Sequence, residues 1–480
     1  MTHLIWLQRD LRLADHAPLF RALQRQHKLV IAYIHDPKRI LGEANAAWLA
    51  HSLTDLQQSI AKKGGDLLML EGDFAQCFEK LVQDYQIGQV SYHYEVGEAF
   101  QQQQQLALEI CKTHQIALTP YDQAWLPSEM VLSQKGGIYS VFTPFYKKLL
   151  TLFNQVALPT NAPTELSAAK LAQPSQLPKT LVNISQQPWA QQMLAHWRSE
   201  PNQLGIGEKA AQARFHAFLQ QASNDYPEAR DFPSEPATSK LSTHLQFGEI
   251  SMRQLLYHLQ SAKSNPDFQI HSLDIFIRQL AWREFGRYLL QFHPQIETQA
   301  FQTKFAAFPW DNNATWLSAW QRGETGVPII DAGMRELWQT GWMHNRIRML
   351  VASWLTKNAN LSWREGQAWF ADTLIDSDPA NNAMGWQWVA GCGVDAAPYY
   401  RLFNPVVQSE KFDANAEYIK HWLPELKSLP AKYCHAPWLH SASLEQYGFK
   451  LGQHYPKPLF DLQQSRANHL QRVQANKSYT

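Results

Sequence analysis

Between Asp376 and Lys411 lies the densest run of side chains able to do chemistry in this 480-residue chain. Asp376-Ser377-Asp378 opens it, Asn382 follows, and Trp386 and Trp388 stand two residues apart before Arg401, Gln408 and Lys411. A paired-aspartate turn leading into two tryptophans is hard to explain as packing. Indoles so spaced point in roughly opposite directions and can face different partners. Two earlier segments repeat the theme at helical spacing. Gln279, Trp282 and Arg283 fall at i, i+3 and i+4, which puts an amide, an indole and a guanidinium on one face. Asn345, Arg348 and Met349 share a face in the same way. Thr238-Ser239-Lys240-Leu241-Ser242 sets hydroxyls and a cation ahead of a helical pattern, as a diphosphate requires. Ser or Thr in that place is ordinarily only a cap.

The elements that must carry these groups divide the chain in three. Over residues 1–130, short apolar runs such as Leu29–Ile34 and Leu67–Leu70 alternate with helical patterns at Ala17–Gln26, Ala46–Lys63, Phe74–Tyr85 and Glu98–His114. That alternation predicts a doubly wound parallel sheet of α/β type, a Rossmann-like domain. The five glutamines Gln101–Gln105 read as the solvated face of the last helix. Residues 131–203 form a connector, rich from Val156 onward in Pro, Ser, Ala and Gln and expected to hold few helical turns. Residues 204–475 carry helical periodicity throughout and predict an all-α domain. Gly205-Ile206-Gly207 imitates a dinucleotide fingerprint but has no strand before it, so it reads as a turn entering a helix.

Composition bounds the partners. A formal charge of +1 excludes a global basic field but not a local basic groove. The four cysteines lack any CxxC pair, which argues against a zinc ribbon or a disulfide framework. No metal is called for. No apolar stretch spans a bilayer, and the N-terminus has no charged n-region, so a cytoplasmic protein is expected. Of the 18 tryptophans, 13 lie at or after Trp282, which suits a helical core that also stacks planar ligands or passes electrons.

These segments resemble the photolyase/cryptochrome family, most nearly its class I cyclobutane pyrimidine dimer photolyases. The likeness runs from Trp6-Leu7-Gln8-Arg9-Asp10-Leu11-Arg12 through the D-x-D-x-A-x-N-x-x-x-W-Q-W run at Asp376–Trp388 and the D-A-A-P-Y-x-R-x-F-N-P run at Asp395–Pro405. The resemblance implies a helical domain that binds FAD, active as FADH⁻. Tyr226, Thr238, Ser239, Lys240, Leu241 and Ser242 would line its phosphate and sugar end. Arg283, Asn345, Arg348, Asp376, Ser377, Asp378 and Asn382 would hold the rest, with Asp376 paired to Arg348 and Asn382 facing flavin N5. Trp310, Trp363 and Trp386 match the electron relay. Trp282 and Trp388 match the walls around a flipped-out dimer, with Gln279, Asn345 and Met349 as further lesion contacts. Arg230, Arg346, Arg401, Gln408 and Lys411 match the contacts to DNA phosphate. The implied reaction is light-driven electron transfer to a cyclobutane dimer in single- or double-stranded UV-damaged DNA, by a monomer.

Three departures bear on that implication. Gln279 stands where cyclobutane-dimer enzymes carry Glu, a choice familiar in the (6-4) photolyase branch. Asn345 stands where that branch uses a histidine, which favours cyclobutane repair. Glu98 matches a folate-contacting acid of the antenna pocket, but Gly97 replaces its asparagine neighbour. Methenyltetrahydrofolate, a deazaflavin and a second flavin all stay open as antenna. The alternative function is a blue-light receptor cryptochrome that photoreduces flavin with little or no repair, and behind it a (6-4) photolyase.

Overall fold

A computed structural model describes residues 1–39, 41–166, 175–199 and 205–475. The chain divides into two compact units. The first comprises 1–224, 239–297 and 375–380, and the second 225–238, 298–374 and 381–480.

The first unit is built on a five-stranded sheet in the order β3-β2-β1-β4-β5, with β1 at Thr2–Leu7, β2 at Lys28–His35, β3 at Leu67–Glu71, β4 at Ile87–His93 and β5 at Ala117–Tyr121. Every pairing is parallel. Parallel strands need crossover helices, which are α1 (Ala17–Gln24), α2 (Glu43–Ala61), α3 (Phe74–Asp84) and α4 (Glu98–Thr113). Both faces are thereby covered, and seven of the eight residues of β2 are buried. The α/β reading is borne out, with helix ends within three residues of those expected. His16 caps α1 by accepting the Leu19 amide on Nδ1 at 3.2 Å, and Asp73 caps α3 by accepting that of Gln76.

Two expectations need correction. Gln103 and Gln104 are buried, and Gln104 exchanges hydrogen bonds with the Glu95 backbone at 2.9 and 3.3 Å. Five consecutive residues sweep more than a full helical turn, so they cannot all share a solvated face. The expected connector also holds more helix than its prolines suggested, at Phe142–Thr151, Lys179–Ser185 and Pro188–Ser199. Pro178 stands at the N-cap of one and Pro188 is the first residue of another. There the missing N–H costs nothing and the ring's φ suits the helix. Gln203, the far end of that connector, lies outside the described residues. Gly207 caps the helix Glu208–Gln221 as a turn, with φ 104°. Glu208 accepts the backbone amides of Leu13 and Ala14, each at 2.8 Å.

The second unit is helical. Pro328–Thr340, Asn345–Ser353, Trp363–Thr373, Pro405–Phe412 and Leu462–Ala475 surround a core of aromatic and aliphatic side chains, including Trp320, Trp354, Trp363 and Trp386. The helix from Asn345 widens into a π turn at Trp354–Asn358. Among the described residues no helix is long and apolar enough to cross a membrane.

At one point in the first unit the backbone itself is the constraint. Gly248 has φ 63°, and a Cβ there would overlap the Arg9 carbonyl. Leu11 donates to the Phe247 carbonyl at 3.0 Å and Arg12 to that of Gly248 at 2.9 Å, so the two segments cannot separate to make room. Gly248→Ala should therefore cost more than the ~1 kcal/mol of an ordinary left-handed substitution, because strain and overlap add. Chemical denaturation reads this as a fall in midpoint at unchanged slope.

Candidate functional site

In an open α/β sheet, ligands settle where the strand order reverses, beyond the carboxyl ends of the strands. Here the reversal falls between β1 and β4. The protein fills that crevice with its own charges. Arg9, two residues past β1, donates from Nε to Glu95 at 3.0 Å and from Nη1 to Asp378 at 2.7 Å, with Gln246 Oε1 at 3.1 Å from Nη1. Its Nη2 also pairs with Glu95. All three ionic groups are buried. Burial opposes the charge on Arg9, but the two carboxylates outweigh it and hold the guanidinium above its ordinary pKa. At Glu95 burial wins over Arg9, and the carboxyl is pushed up.

Beside this pair, Asp10 faces His16 Nε2 at 2.9 Å and His93 Nδ1 at 2.8 Å, all three fully buried. Their residue types are those of a metal site, but each contact is explained without one. His16 Nδ1 takes the Leu19 amide, which leaves Nε2 as the nitrogen on the Asp10 side. Burial opposes the Asp10 charge, yet the two imidazoles outweigh it and keep the carboxylate well below its ordinary range. Burial holds His93 down at about 3.

The helix Ile270–Phe292 of the same unit presents Gln279, Trp282 and Arg283, all half-buried on one face as expected. Arg283 reaches the Leu245 carbonyl at 3.1 Å and Asp378 at 3.6 Å. Gln279 turns its amide toward the Ile275 carbonyl at 3.5 Å. Trp282 lies flat on Phe142, with ring centroids 3.6 Å apart and planes 7° from parallel. Tyr146 continues the stack beyond Phe142 at 5.6 Å and 9°. In the Thr238–Ser242 segment, Lys240 has φ 49° and its ammonium lies 5.8 Å from the Trp197 ring. Leu241 donates to Ser239 Oγ at 3.4 Å, and Ser242 opens a helix of only five residues. Asp376 is buried and Ser377 half-buried. Glu98 is exposed, with its amide on Glu297 at 2.9 Å.

In the second unit, Asn345 and Met349 meet at 3.9 Å on one face of their helix, and Asn345 is exposed. Arg348 donates to the Met343 carbonyl at 2.7 Å. Tyr226 is buried, with the Arg230 guanidinium 5.4 Å from its ring. Arg346 is paired to Asp231 at 2.6 Å and lies over Phe412 at 4.1 Å. Lys411 flanks the same ring at 5.0 Å. Three of the expected phosphate contacts, Arg230, Arg346 and Lys411, thus gather around Asp231 and Phe412. Arg401 is exposed on the loop before Pro405, while Gln408 lies on the helix that follows.

Trp363 and Trp386 are buried in one hydrophobic cluster, with half-buried Trp310 packed against it. Trp386 fits edge-on against Phe370 at 4.9 Å, and a Cβ on Gly366 would overlap its ring. Half-buried Trp388 stands on the same helix, Pro379–Ala390. Asn382 donates its Nδ2 to the Gln367 carbonyl at 3.0 Å, which leaves Oδ1 as the acceptor. That orientation is what a hydrogen bond from a flavin N5–H needs.

No motif or spacing marks Arg9 and Glu95 as partners of Asp378. Arg9 was visible only as a letter in the opening W-L-Q-R-D run, and 369 residues separate it from Asp378.

A parallel-sheet unit joined in one chain to a helical unit with a tryptophan-rich core defines the photolyase and cryptochrome class of flavoproteins. Residues 3–165 match the DNA photolyase domain, and residues 276–475 the FAD-binding domain of DNA photolyase. A deoxyribodipyrimidine photo-lyase of Agrobacterium fabrum is 36% identical, with 99% of this chain and 98% of that one covered. A bacterial class III photolyase structure from Agrobacterium tumefaciens is 34% identical at a TM-score of 0.92, covering 99% of this chain and 98% of that one. A Synechocystis cryptochrome is 29% identical at a TM-score of 0.89, covering 98% of each. The chain belongs to the DNA photolyase family, and it is a flavoprotein enzyme of that family.

Removing Arg9 would strand two buried carboxylates. Arg9→Met is expected to destabilise the fold by about 3–5 kcal/mol at neutral pH, the usual cost of breaking a buried ion pair from one side. Equilibrium unfolding of the two proteins checks it.

Proposed function

We propose that this protein repairs cyclobutane pyrimidine dimers in DNA, driven by blue or near-UV light. Trp282 carries the reading. Phe142 backs one face of its half-buried indole in parallel contact, and the opposite face would receive the flipped base. Stacking on an aromatic side chain returns about 1–3 kcal/mol per base against the cost of extrusion. Flipping itself is the behaviour that general accounts of photolyases already assign to them. Trp388 serves as the second wall, and Asn345 and Met349 meet the lesion with Gln279, which donates N–H but cannot supply a proton.

Reduced FAD, when bound, supplies a light-absorbing one-electron donor. Around it the chain's residues bind and orient. Tyr226 and Thr238–Ser242 take the phosphates and sugar. Arg283, Asn345, Arg348, Asp376, Ser377 and Asp378 would hold the remainder, and Asn382 would offer Oδ1 as the acceptor for the flavin N5–H. Trp386, Trp363 and Trp310 would form the relay toward that group. The half-exposed Trp310 suits the end that meets an external reductant. Arg230, Arg346, Arg401, Gln408 and Lys411 take DNA phosphates, which positions the strand without reading its sequence. Glu98 is the proposed antenna contact, with methenyltetrahydrofolate as the chromophore to test first.

The second reading is a blue-light receptor, favoured by the likeness to the Synechocystis cryptochrome. The assay uses FAD-loaded, reduced protein under blue light with dimer-bearing single- and double-stranded DNA. Restored thymines are expected; absence of repair with the flavin fully reduced would favour the receptor. A parallel assay on (6-4) lesions tests the glutamine at 279 and should show no repair. Trp386→Phe should slow photoreduction while pre-reduced protein still repairs. Equal loss of both would remove Trp386 from the relay.

A further inference from the structure

Lys357 is fully buried in the second unit, on the π turn Trp354–Asn358. Among the described residues no carboxylate pairs with it. Buried lysines without a partner are rare, because the desolvated ammonium is costly. Its Nζ instead donates to two backbone carbonyls, Arg401 at 2.6 Å and Pro398 at 3.4 Å. Of the two carbonyls between them in sequence, that of Tyr399 accepts from His469 Nε2 at 3.0 Å, on the helix Leu462–Ala475. The same loop is bonded back to the lesion-wall helix, since Ala397 donates to the Trp388 carbonyl at 3.1 Å. A helical widening, which so often marks a functional site, thus aims a cation at the loop between Trp388 and Arg401.

We infer that Lys357 is a positioning residue for DNA binding, holding the Pro398–Arg401 turn so that Arg401 is presented to a backbone phosphate near Trp388. It touches neither DNA nor flavin; it acts through the carbonyls of the turn. The inference rests on the reading of Arg401 as a phosphate contact. The bonds are charge-assisted only while Lys357 is protonated. Burial, with Arg401 adding to it, lowers its pKa to about 7. The other groups facing it do not titrate nearby. Burial holds His469 at about 4 and lifts the Cys392 thiol to about 12. Lesion affinity should therefore be highest below pH 7 and fall as Lys357 loses its proton toward pH 8.

The test is binding of FAD-loaded protein to a dimer-bearing oligonucleotide, measured from pH 6 to pH 8 for wild type, Lys357→Met and Arg401→Ala. At pH 6, Lys357→Met should bind about ten-fold more weakly, the scale of a lost charged hydrogen bond. Its pH profile should be flat and its flavin photoreduction should match wild type, with at most a modest fall in Tm, because two carbonyls lose their donor while a costly buried charge is removed. If Arg401→Ala binds as wild type, the reading of this loop as a DNA contact fails. If Arg401→Ala weakens binding and Lys357→Met does not, the positioning role is overturned. A Lys357→Met protein that melts early and photoreduces slowly would mark Lys357 as core support and overturn it too. The wild-type profile needs no variant, and a flat one across this range also rejects the inference.

Discussion

The ion pair network of Arg9 with Glu95 and Asp378 is the constraint on which the first unit is organised. A buried arginine with two carboxylates repays its desolvation only if the geometry is good and the remaining polar atoms are satisfied. Here Gln246 and Arg283 complete the set around Arg9 and Asp378. The arrangement closes the strand-order reversal of the sheet with protein charge where many α/β proteins place a nucleotide. It also binds Asp378, the residue just before the helix of Asn382, Trp386 and Trp388, to the end of β1. Asp376–Asp378, a segment of flavin candidates, is thereby anchored by a residue at the other end of the chain.

Stacking and sterics do comparable work for the aromatic groups. Trp282 is packed flat on Phe142, so little side-chain entropy would remain to be lost if the proposed stacking on a base occurs. Trp386 is seated where only glycine fits at 366, and its ring stays wedged against Phe370. Asp231 and Phe412 likewise hold Arg346, one of the proposed phosphate contacts, in a defined direction. Preorganisation of this kind lowers the cost of binding without adding a contact.

Much of the molecule was legible from pattern. Strands and helices of the sheet unit came from hydrophobic periodicity because a parallel sheet buried on both faces writes continuous apolar runs. The sharing of a face by Asn345 and Met349, or by Gln279 and Arg283, follows from helical spacing alone. Misreadings arose where one local cue was asked to decide burial. The glutamine run looked solvated because glutamine is polar, yet Gln104 is buried to satisfy the Glu95 backbone. Prolines looked like breaks, yet at a helix start they are neutral or helpful.

The sequence by itself determined the fold class, the faces of the helices and, through its resemblance to a known family, the residues to examine. Those properties are local: they depend on spacings of three, four or two residues. The tertiary structure alone decided which distant groups meet. Arg9 with Asp378, Trp282 with Phe142 and Lys357 with the Arg401 carbonyl lie 369, 140 and 44 residues apart. No periodicity encodes such meetings, because they depend on how layers pack and on which buried charge must find a partner.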